Sequence, residues 1–179
     1  MYKAEMEIII DEQIKLKLFN LNEVDQFFES IHQENPTNDS YRANLQRKYS
    51  TLQKLVNRIE DAVENKFKID GTPDFFIYLN NQIAGMFEFH PLTKDNFIEV
   101  GFWLYPEFRR KGLLTKVFPA MIKYAKNNFS KDKILATTSI ENVPSQKLLE
   151  SNRFLKIGLT EEVLSDGTVE KQYIYELPL

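Results

Sequence analysis

The residues best placed to do chemistry lie in one stretch, Glu99-Val-Gly-Phe-Trp-Leu-Tyr-Pro-Glu-Phe-Arg-Arg-Lys-Gly-Leu-Leu-Thr115. An apolar strand runs into a Pro-bounded basic loop, and one glycine, Gly112, then opens an amphipathic helix. The first N–H groups of a helix have no partner within it and the dipole there is positive, so a strand–loop–helix corner of this kind binds phosphate. Three cations, Arg109, Arg110 and Lys111, precede Gly112. The chain as a whole is acidic, with a formal net charge of −3. Nucleic-acid affinity needs a broad basic surface. The phosphate is therefore expected to belong to a bound small molecule.

Hydrophobic periodicity defines the elements that must position this corner. Ile14 to Phe19 alternates apolar and charged residues and reads as a half-exposed strand. Asn20-Leu-Asn22 caps a helix over about Glu23 to Gln33, and Asn35-Pro-Thr-Asn38 breaks it. From Ser40 to Phe67, Tyr41, Leu45, Tyr49, Leu52, Leu55, Ile59, Val63 and Phe67 recur every three or four residues. That spacing predicts one long amphipathic helix or two collinear ones, with a core-packing stripe. Asp70-Gly-Thr-Pro73 is a turn. Strands follow over Asp74–Leu79, Gln82–His90 and Phe97–Leu104, with Asn80-Asn81 as a tight hairpin turn and Pro91–Asn96 as a polar one. A helix runs from Gly112 to about Asn128, with Leu113, Val117, Met121, Ala125 and Phe129 on one face and Pro119 inside it as a kink. Lys133–Ser139 is a buried strand, Asn142–Glu150 a short helix with Pro near its first turn, and Arg153–Ile157 and Gln172–Leu177 the last strands. Helices interrupting a mixed sheet make an α+β or α/β sandwich.

Composition removes several function classes. The chain has 179 residues and no cysteine, so disulfides, thiolate nucleophiles and thiolate metal sites are excluded. His32 and His90 are the only histidines, which excludes a multi-histidine metal centre, and both read as structural. No apolar run approaches the roughly 18 residues of a membrane span, and the start lacks the regions of a signal peptide. A single soluble, cytoplasmic domain over residues 1–179 is expected, without metal, membrane or nucleic-acid partner. No Gly-x-x-x-x-Gly-Lys-Ser/Thr sequence is present, which argues against a nucleotide-binding or kinase-like reading of the same corner.

Three motifs give the chain a family likeness. The first is Glu99-Val-Gly-Phe-Trp-Leu-x-Pro followed by Arg109-Arg-Lys-Gly112. The second is Asn142-x-x-Ser145-x-x-Leu-Leu-Glu150, closing with Arg153-Phe154. The third is Glu162-Val-Leu-Ser-Asp-Gly167 before a Tyr-Ile-Tyr strand. In this order and spacing, from Ile14 to Leu177, the chain resembles the GNAT superfamily of acyl-CoA-dependent N-acetyltransferases. It is most similar to the branch that acetylates the N-terminal serine or alanine amine of ribosomal proteins. The resemblance implies a central, mostly antiparallel sheet with a splayed parallel pair and helices on both faces. It implies an acyltransferase that moves acetyl from acetyl-CoA to a primary amine, with a possible homodimer. A small amine (polyamine, aminoglycoside or amino acid) is the alternative acceptor, and a catalytically silent acyl-CoA-binding module the alternative of another class.

The resemblance also implies roles. The strand Phe102-Trp103-Leu104 is bulged and splayed near Thr137, and its backbone binds the pantetheine arm and polarises the thioester carbonyl. Arg109, Arg110, Lys111, Gly112, Leu113, Leu114 and Thr115 wrap the pyrophosphate. Asn142 bonds the pantetheine and Ser145 protonates the thiolate of CoA, although a Ser at a helix start is commonly a cap. Either Glu99 or Glu162 is the base. The chain departs from the family pattern where Leu114 replaces Gly or Ala, and where Arg110 and Arg153 replace Gly. Leu114 and Arg110 crowd the pyrophosphate, and Arg110 offsets this with a charge-assisted contact.

Overall fold

The computed structural model describes residues 6–19, 21–33, 40–61, 72–90, 96–163 and 167–179, with only the backbone of 40, 41, 43 and 44. The chain divides into two compact units, Met1–Pro91 with Phe102–Leu113, and Leu92–Gly101 with Leu114–Leu179. The strands run in the order β1 (Glu7–Ile9), β2 (Ile14–Leu18), β3 (Asp74–Leu79), β4 (Gln82–Phe89), β5 (Phe97–Leu104), β6 (Lys133–Ser139), β8 (Val169–Pro178) and β7 (Leu155–Val163), making a mixed α/β sheet.

In the first unit β1 (Glu7–Ile9), β2 (Ile14–Leu18), β3 (Asp74–Leu79) and β4 (Gln82–Phe89) pair antiparallel in sequence order. β2 buries Ile14, Leu16 and Leu18 and leaves Lys15 and Lys17 half-buried, as its alternation predicts. β3 is buried from Asp74 through Tyr78, the pattern of a strand covered on both faces. Asn80 and Asn81 both take a positive φ, 49° and 63°, the geometry of a type I′ hairpin. The short exposed β1 carries too little pattern to be read from sequence. Of the turn expected at Asp70–Pro73, residues 70–71 lie outside the described residues, and of the polar turn expected at Pro91–Asn96, residues 91–95 do.

Among the described residues of this unit are the helices α1 (Val24–His32), α2 (Ser40–Lys48) and α3 (Leu52–Asp61). α1 has no side-chain cap at its N-cap residue Glu23, which ends a 3-10 turn at Leu21–Glu23. The long amphipathic stretch is two helices because Thr51 restarts it, accepting the Lys54 N–H at its Oγ1 (3.4 Å). Leu45, Tyr49, Leu55 and Ile59 join Phe19, Phe27, Ile31, Phe76 and Tyr105 in one core, while Leu52 is exposed. Tyr41, Val63 and Phe67 lie outside the described side chains.

At the edge of that core the Tyr78 hydroxyl donates to Glu23 Oε2 (2.6 Å) and Lys17 Nζ to Oε1 (2.9 Å). Burial pushes the Glu23 carboxyl up, but these hydrogen bonds and the lysine charges outweigh it and hold it below its ordinary 4.5. A depressed carboxyl contributes stability that is present above the unfolded value and lost as pH falls through the folded one. Glu23→Gln is therefore expected to flatten the loss of melting temperature below about pH 4.5, measured by thermal denaturation across pH.

The second unit contains the first half of β5 (Phe97–Leu104), then α4 (Leu113–Asn128) beyond its first residue, β6 (Lys133–Ser139), α5 (Val143–Ser151), β7 (Leu155–Val163) and β8 (Val169–Pro178). β6 pairs antiparallel with β8 from Lys133↔Pro178 to Ser139↔Gln172. Its parallel register with β5 covers only Phe97↔Lys133, Ile98↔Ile134 and Glu99↔Leu135. The ladder thus ends after Glu99 while β6 continues on β8, which is the splayed parallel pair. α4 buries Val117, Phe118, Met121 and Ala125 and continues through the exposed Pro119. β7 and β8 extend beyond the sequence-read strands. The added part of β7, Gly158 to Val163, has no buried residue to set a period, and its order comes from the β8 ladder.

α5 ends in a left-handed residue that is not glycine. Arg153 has φ 68°, its N–H bonds the Glu150 carbonyl (3.0 Å) and the Phe154 N–H bonds the Leu149 carbonyl (3.1 Å). This is a Schellman ending, with Leu149 and Phe154 both buried beside it. A left-handed Arg is strained by about 1 kcal/mol relative to glycine. Arg153→Gly is expected to raise stability by up to about 1 kcal/mol, read by chemical denaturation.

Candidate active site

The phosphate corner is built in the first unit. β5 ends at Leu104, and Tyr105 is fixed to β4 by its N–H on the Ala84 carbonyl (2.9 Å). The pairing of β3 with β4 shifts register beside this point, at Ile77/Tyr78 opposite Gly85/Ile83. Gly85 lets the backbones approach: a Cβ there would overlap the Trp103 carbonyl oxygen and stand 2.9 Å from Leu104 Cα. Phe102 stacks on Phe87, and half-buried Trp103 meets Tyr105 edge-on (5.0 Å between centroids) and lies 6.4 Å from Phe27. Leu104 is buried. Trp103 therefore packs against the core while its strand carries the site segment.

After a 3-10 turn at Pro106–Phe108, Arg109 folds back and donates from Nε to the Leu104 carbonyl (2.9 Å), closing the loop on its own strand. Lys111 lies over the Phe108 ring at 5.5 Å. No described residue pairs with Arg110. Arg110 and Gly112 both have a positive φ, 60° and 72°, and residues Arg109 to Gly112 are exposed. Arg110 thus takes under strain a left-handed backbone that glycine would adopt freely, which is the conformational reason for the glycine expected there from the resemblance. A Cβ on Gly112 would meet nothing within 4 Å, so the approach to the first turn of α4 is open from that side. These features fit a pyrophosphate: open helix-terminal N–H groups, with a cation beside them that has no other described partner. Leu113 is buried and Leu114 half-buried in the first turn of α4, and Thr115 is exposed.

The second unit holds the remaining candidates. Asn142 Oδ1 accepts the Ser145 N–H (3.3 Å) and so caps α5, with Pro144 in the first turn. Ser145 contributes its backbone to this cap. Its half-buried hydroxyl makes no hydrogen bond among the described residues. Gln146 Nε2 secures the preceding loop on the Ser139 and Ile140 carbonyls (3.2 and 2.9 Å). Glu99 is half-buried on β5, opposite Leu135 in the parallel register. Glu162 is exposed on β7, and its carboxylate accepts from the Gln172 amide, which also donates to Glu170 (3.1 Å). The structure thus joins Asn142 to Ser145 in one helix turn and Arg109 to Gly112 in one loop. Glu162 stands in a different cluster, with Gln172 and Glu170. Gln146 and Gln172 were not read from sequence, because a lone Gln in a helix or strand gives no local signal.

His32 donates from Nδ1 to the Phe28 carbonyl (2.9 Å) and packs its ring, tilted, against that of Phe28, a structural role. Tyr175 is buried with its hydroxyl on Glu150 Oε1 (3.0 Å), and burial with that carboxylate pushes it up to about 12. Among the described residues no group of three or more His, Cys, Asp or Glu is placed to hold a metal, and no helix is long and apolar enough to cross a membrane.

Residues 13–155 match the family model described as Acetyltransferase (GNAT) domain. A Bacillus subtilis protein, YdaF, provisionally named a ribosomal N-acetyltransferase, is 23% identical over 184 residues, covering 93% of this chain and 91% of its own. The match to an uncharacterized Bacillus subtilis N-acetyltransferase, YnaD, spans 58% of that protein's length. Among solved structures, a Salmonella typhimurium acetyltransferase that modifies the N-terminal serine of a 50S ribosomal subunit protein superimposes with a TM-score of 0.78 at 14% identity, covering 97% of this chain and 99% of its own. A microcin self-immunity acetyltransferase in complex with acetyl-CoA and AMP gives 0.79 at 17% identity, covering 95% and 94%.

Proposed function

Because this chain belongs to the GNAT acetyltransferase family, we propose that it transfers acetyl from acetyl-CoA to the N-terminal amine of a protein, as one domain over residues 1–179. The chain is an N-acetyltransferase. The observation that carries the cofactor reading is the corner at Arg109–Gly112, with two left-handed residues delivering the chain into the open first turn of α4. The backbone N–H groups there hold the pyrophosphate, and Arg110 and Lys111 add charge, with Leu113, Leu114 and Thr115 in the adjoining turn. Phe102, Trp103 and Leu104 supply backbone groups to the pantetheine arm, and Asn142 supplies its amide.

In the reaction the amine nitrogen attacks the thioester carbonyl carbon, and the C–S bond breaks. The thiolate takes the Ser145 hydroxyl proton, and the amine proton leaves through water to Glu99 or Glu162. Ser145 recovers its proton from solvent. An α-amine titrates near 7.7–8.0, so roughly a tenth of it or more is already neutral at pH 7 and a carboxylate acting through a water relay suffices.

The name of YdaF, and the N-terminal serine that the Salmonella acetyltransferase modifies, support a ribosomal-protein N-terminus as acceptor. The microcin acetyltransferase favours a second reading, a small-molecule amine. A homodimer and a cytoplasmic location belong to the same proposal. The exposed apolar side chains of edge strand β7, Leu155, Ile157, Leu159 and Val163, support the dimer. Thiol release is measured with peptides beginning in Ser or Ala, the same peptides with blocked N-termini, and a polyamine. Turnover confined to the free N-termini is expected. Turnover of the polyamine alone would move the acceptor to the second reading, and no release with any amine would leave an acyl-CoA-binding module.

A further inference from the structure

A buried cation stands behind the phosphate corner. Arg42, on α2, is 1% exposed, and its guanidinium lies over the Tyr105 ring at 4.1 Å. Its Nη2 donates to Glu107 Oε1 (2.6 Å), while its Nε is buried with no hydrogen-bond partner. Glu107 belongs to the 3-10 turn between Tyr105 and Arg109. The Tyr105 hydroxyl in turn shares a hydrogen bond with Ser30 Oγ on α1 (2.9 Å).

Side chains therefore hold the turn on α1 through Tyr105, on α2 through Glu107 and on its own strand through Arg109, beside the Tyr105 N–H that holds it on β4. An ion pair that buries one partner while the other, Glu107, stays exposed contributes little to stability after desolvation, and less when one guanidinium nitrogen stays unpaired. Its position gives the pair another use. Glu107 is two residues before Arg109, so holding its carboxylate fixes where the left-handed Arg110 and Gly112 present their N–H groups. We propose that Arg42 is a positioning residue for cofactor binding: through Glu107 it sets the geometry of the pyrophosphate loop without touching the cofactor. This inference rests on the acetyl-CoA reading above.

The test is calorimetric titration of wild type, Arg42→Met, Glu107→Gln and the double variant with acetyl-CoA, well below each melting temperature. In parallel, kcat/KM is compared for acetyl-CoA and for S-acetylpantetheine, a donor without the pyrophosphate. Each single variant is expected to weaken acetyl-CoA binding by about tenfold, with the double variant no weaker than either. The S-acetylpantetheine reaction is expected to stay at the wild-type rate. Variants that bind acetyl-CoA like wild type, losses that multiply in the double variant, or equal losses with both donors would overturn the inference. Wild-type protein that binds no acetyl-CoA would overturn the cofactor reading itself. Glu107→Gln, changed on the more exposed side of the pair, serves if Arg42→Met does not fold.

Discussion

Ser145→Ala is expected to lower kcat by about a hundredfold or more, the contribution of a positioned general acid, with acetyl-CoA affinity and stability unchanged. The structure separates the two roles a serine can have at a helix start. The cap belongs to Asn142, whose Oδ1 accepts the Ser145 N–H, a bond that alanine preserves. The Ser145 hydroxyl has no hydrogen bond among the described residues, so removing it leaves no described protein group unpaired. Asn142→Ala is the control. It deletes the cap and is expected to cost about 1 kcal/mol of stability, which Ser145→Ala should not. Steady-state kinetics alongside thermal melts distinguish them. A Ser145→Ala protein that turns over at the wild-type rate, or melts as low as Asn142→Ala, would return Ser145 to a structural role.

Gly85→Ala is expected to destabilise the chain by roughly 3 kcal/mol or more, a large part of the 5–15 kcal/mol of a typical domain. The added Cβ would overlap the Trp103 carbonyl and press on Leu104 Cα and Cδ2, each 2.9 Å away. Backbone cannot yield as a flexible side chain does, and the Tyr105 N–H bond to Ala84 ties this part of β5 down. Any relief would shift Trp103 and Leu104, so acetyl-CoA binding should weaken in the protein that still folds. Urea denaturation reads the first effect and calorimetry the second. A stability loss under about 1 kcal/mol would mean that the two strands separate more easily than the close approach implies.

Local signals were legible in the sequence, and pairings across the chain were not. Asp74–Leu79, Phe97–Leu104 and Lys133–Ser139 occupy the bounds their apolar runs predict, because turn residues flank them; Lys133–Ser139 is not the buried strand expected, since its residues alternate between buried and half-buried and Thr137 is exposed. The start of α4 after Gly112 was readable for the same reason. The pattern left one helix or two open over α2 and α3, because the apolar spacing continues across the break and only Thr51 marks the restart. The length of β7 escaped because its outer part is exposed and is ordered by β8. At the site, the basic loop and the Asn142–Ser145 turn are contiguous in sequence and were found. Arg110 and Arg153 looked like losses of glycine, yet both keep the left-handed backbone that glycine would take. The Arg42–Glu107 pair joins residues 65 apart, and neither has a local pattern that points to the other.

The most direct measurement is calorimetric titration of the wild-type protein with acetyl-CoA. Saturable one-to-one binding is expected on the proposal that the open turn at Gly112 and Arg110, which pairs with no described residue, accept the pyrophosphate despite the bulk of Leu114. No heat of binding at millimolar acetyl-CoA would contradict this, and would mean that Leu114 and Arg110 have closed the phosphate corner.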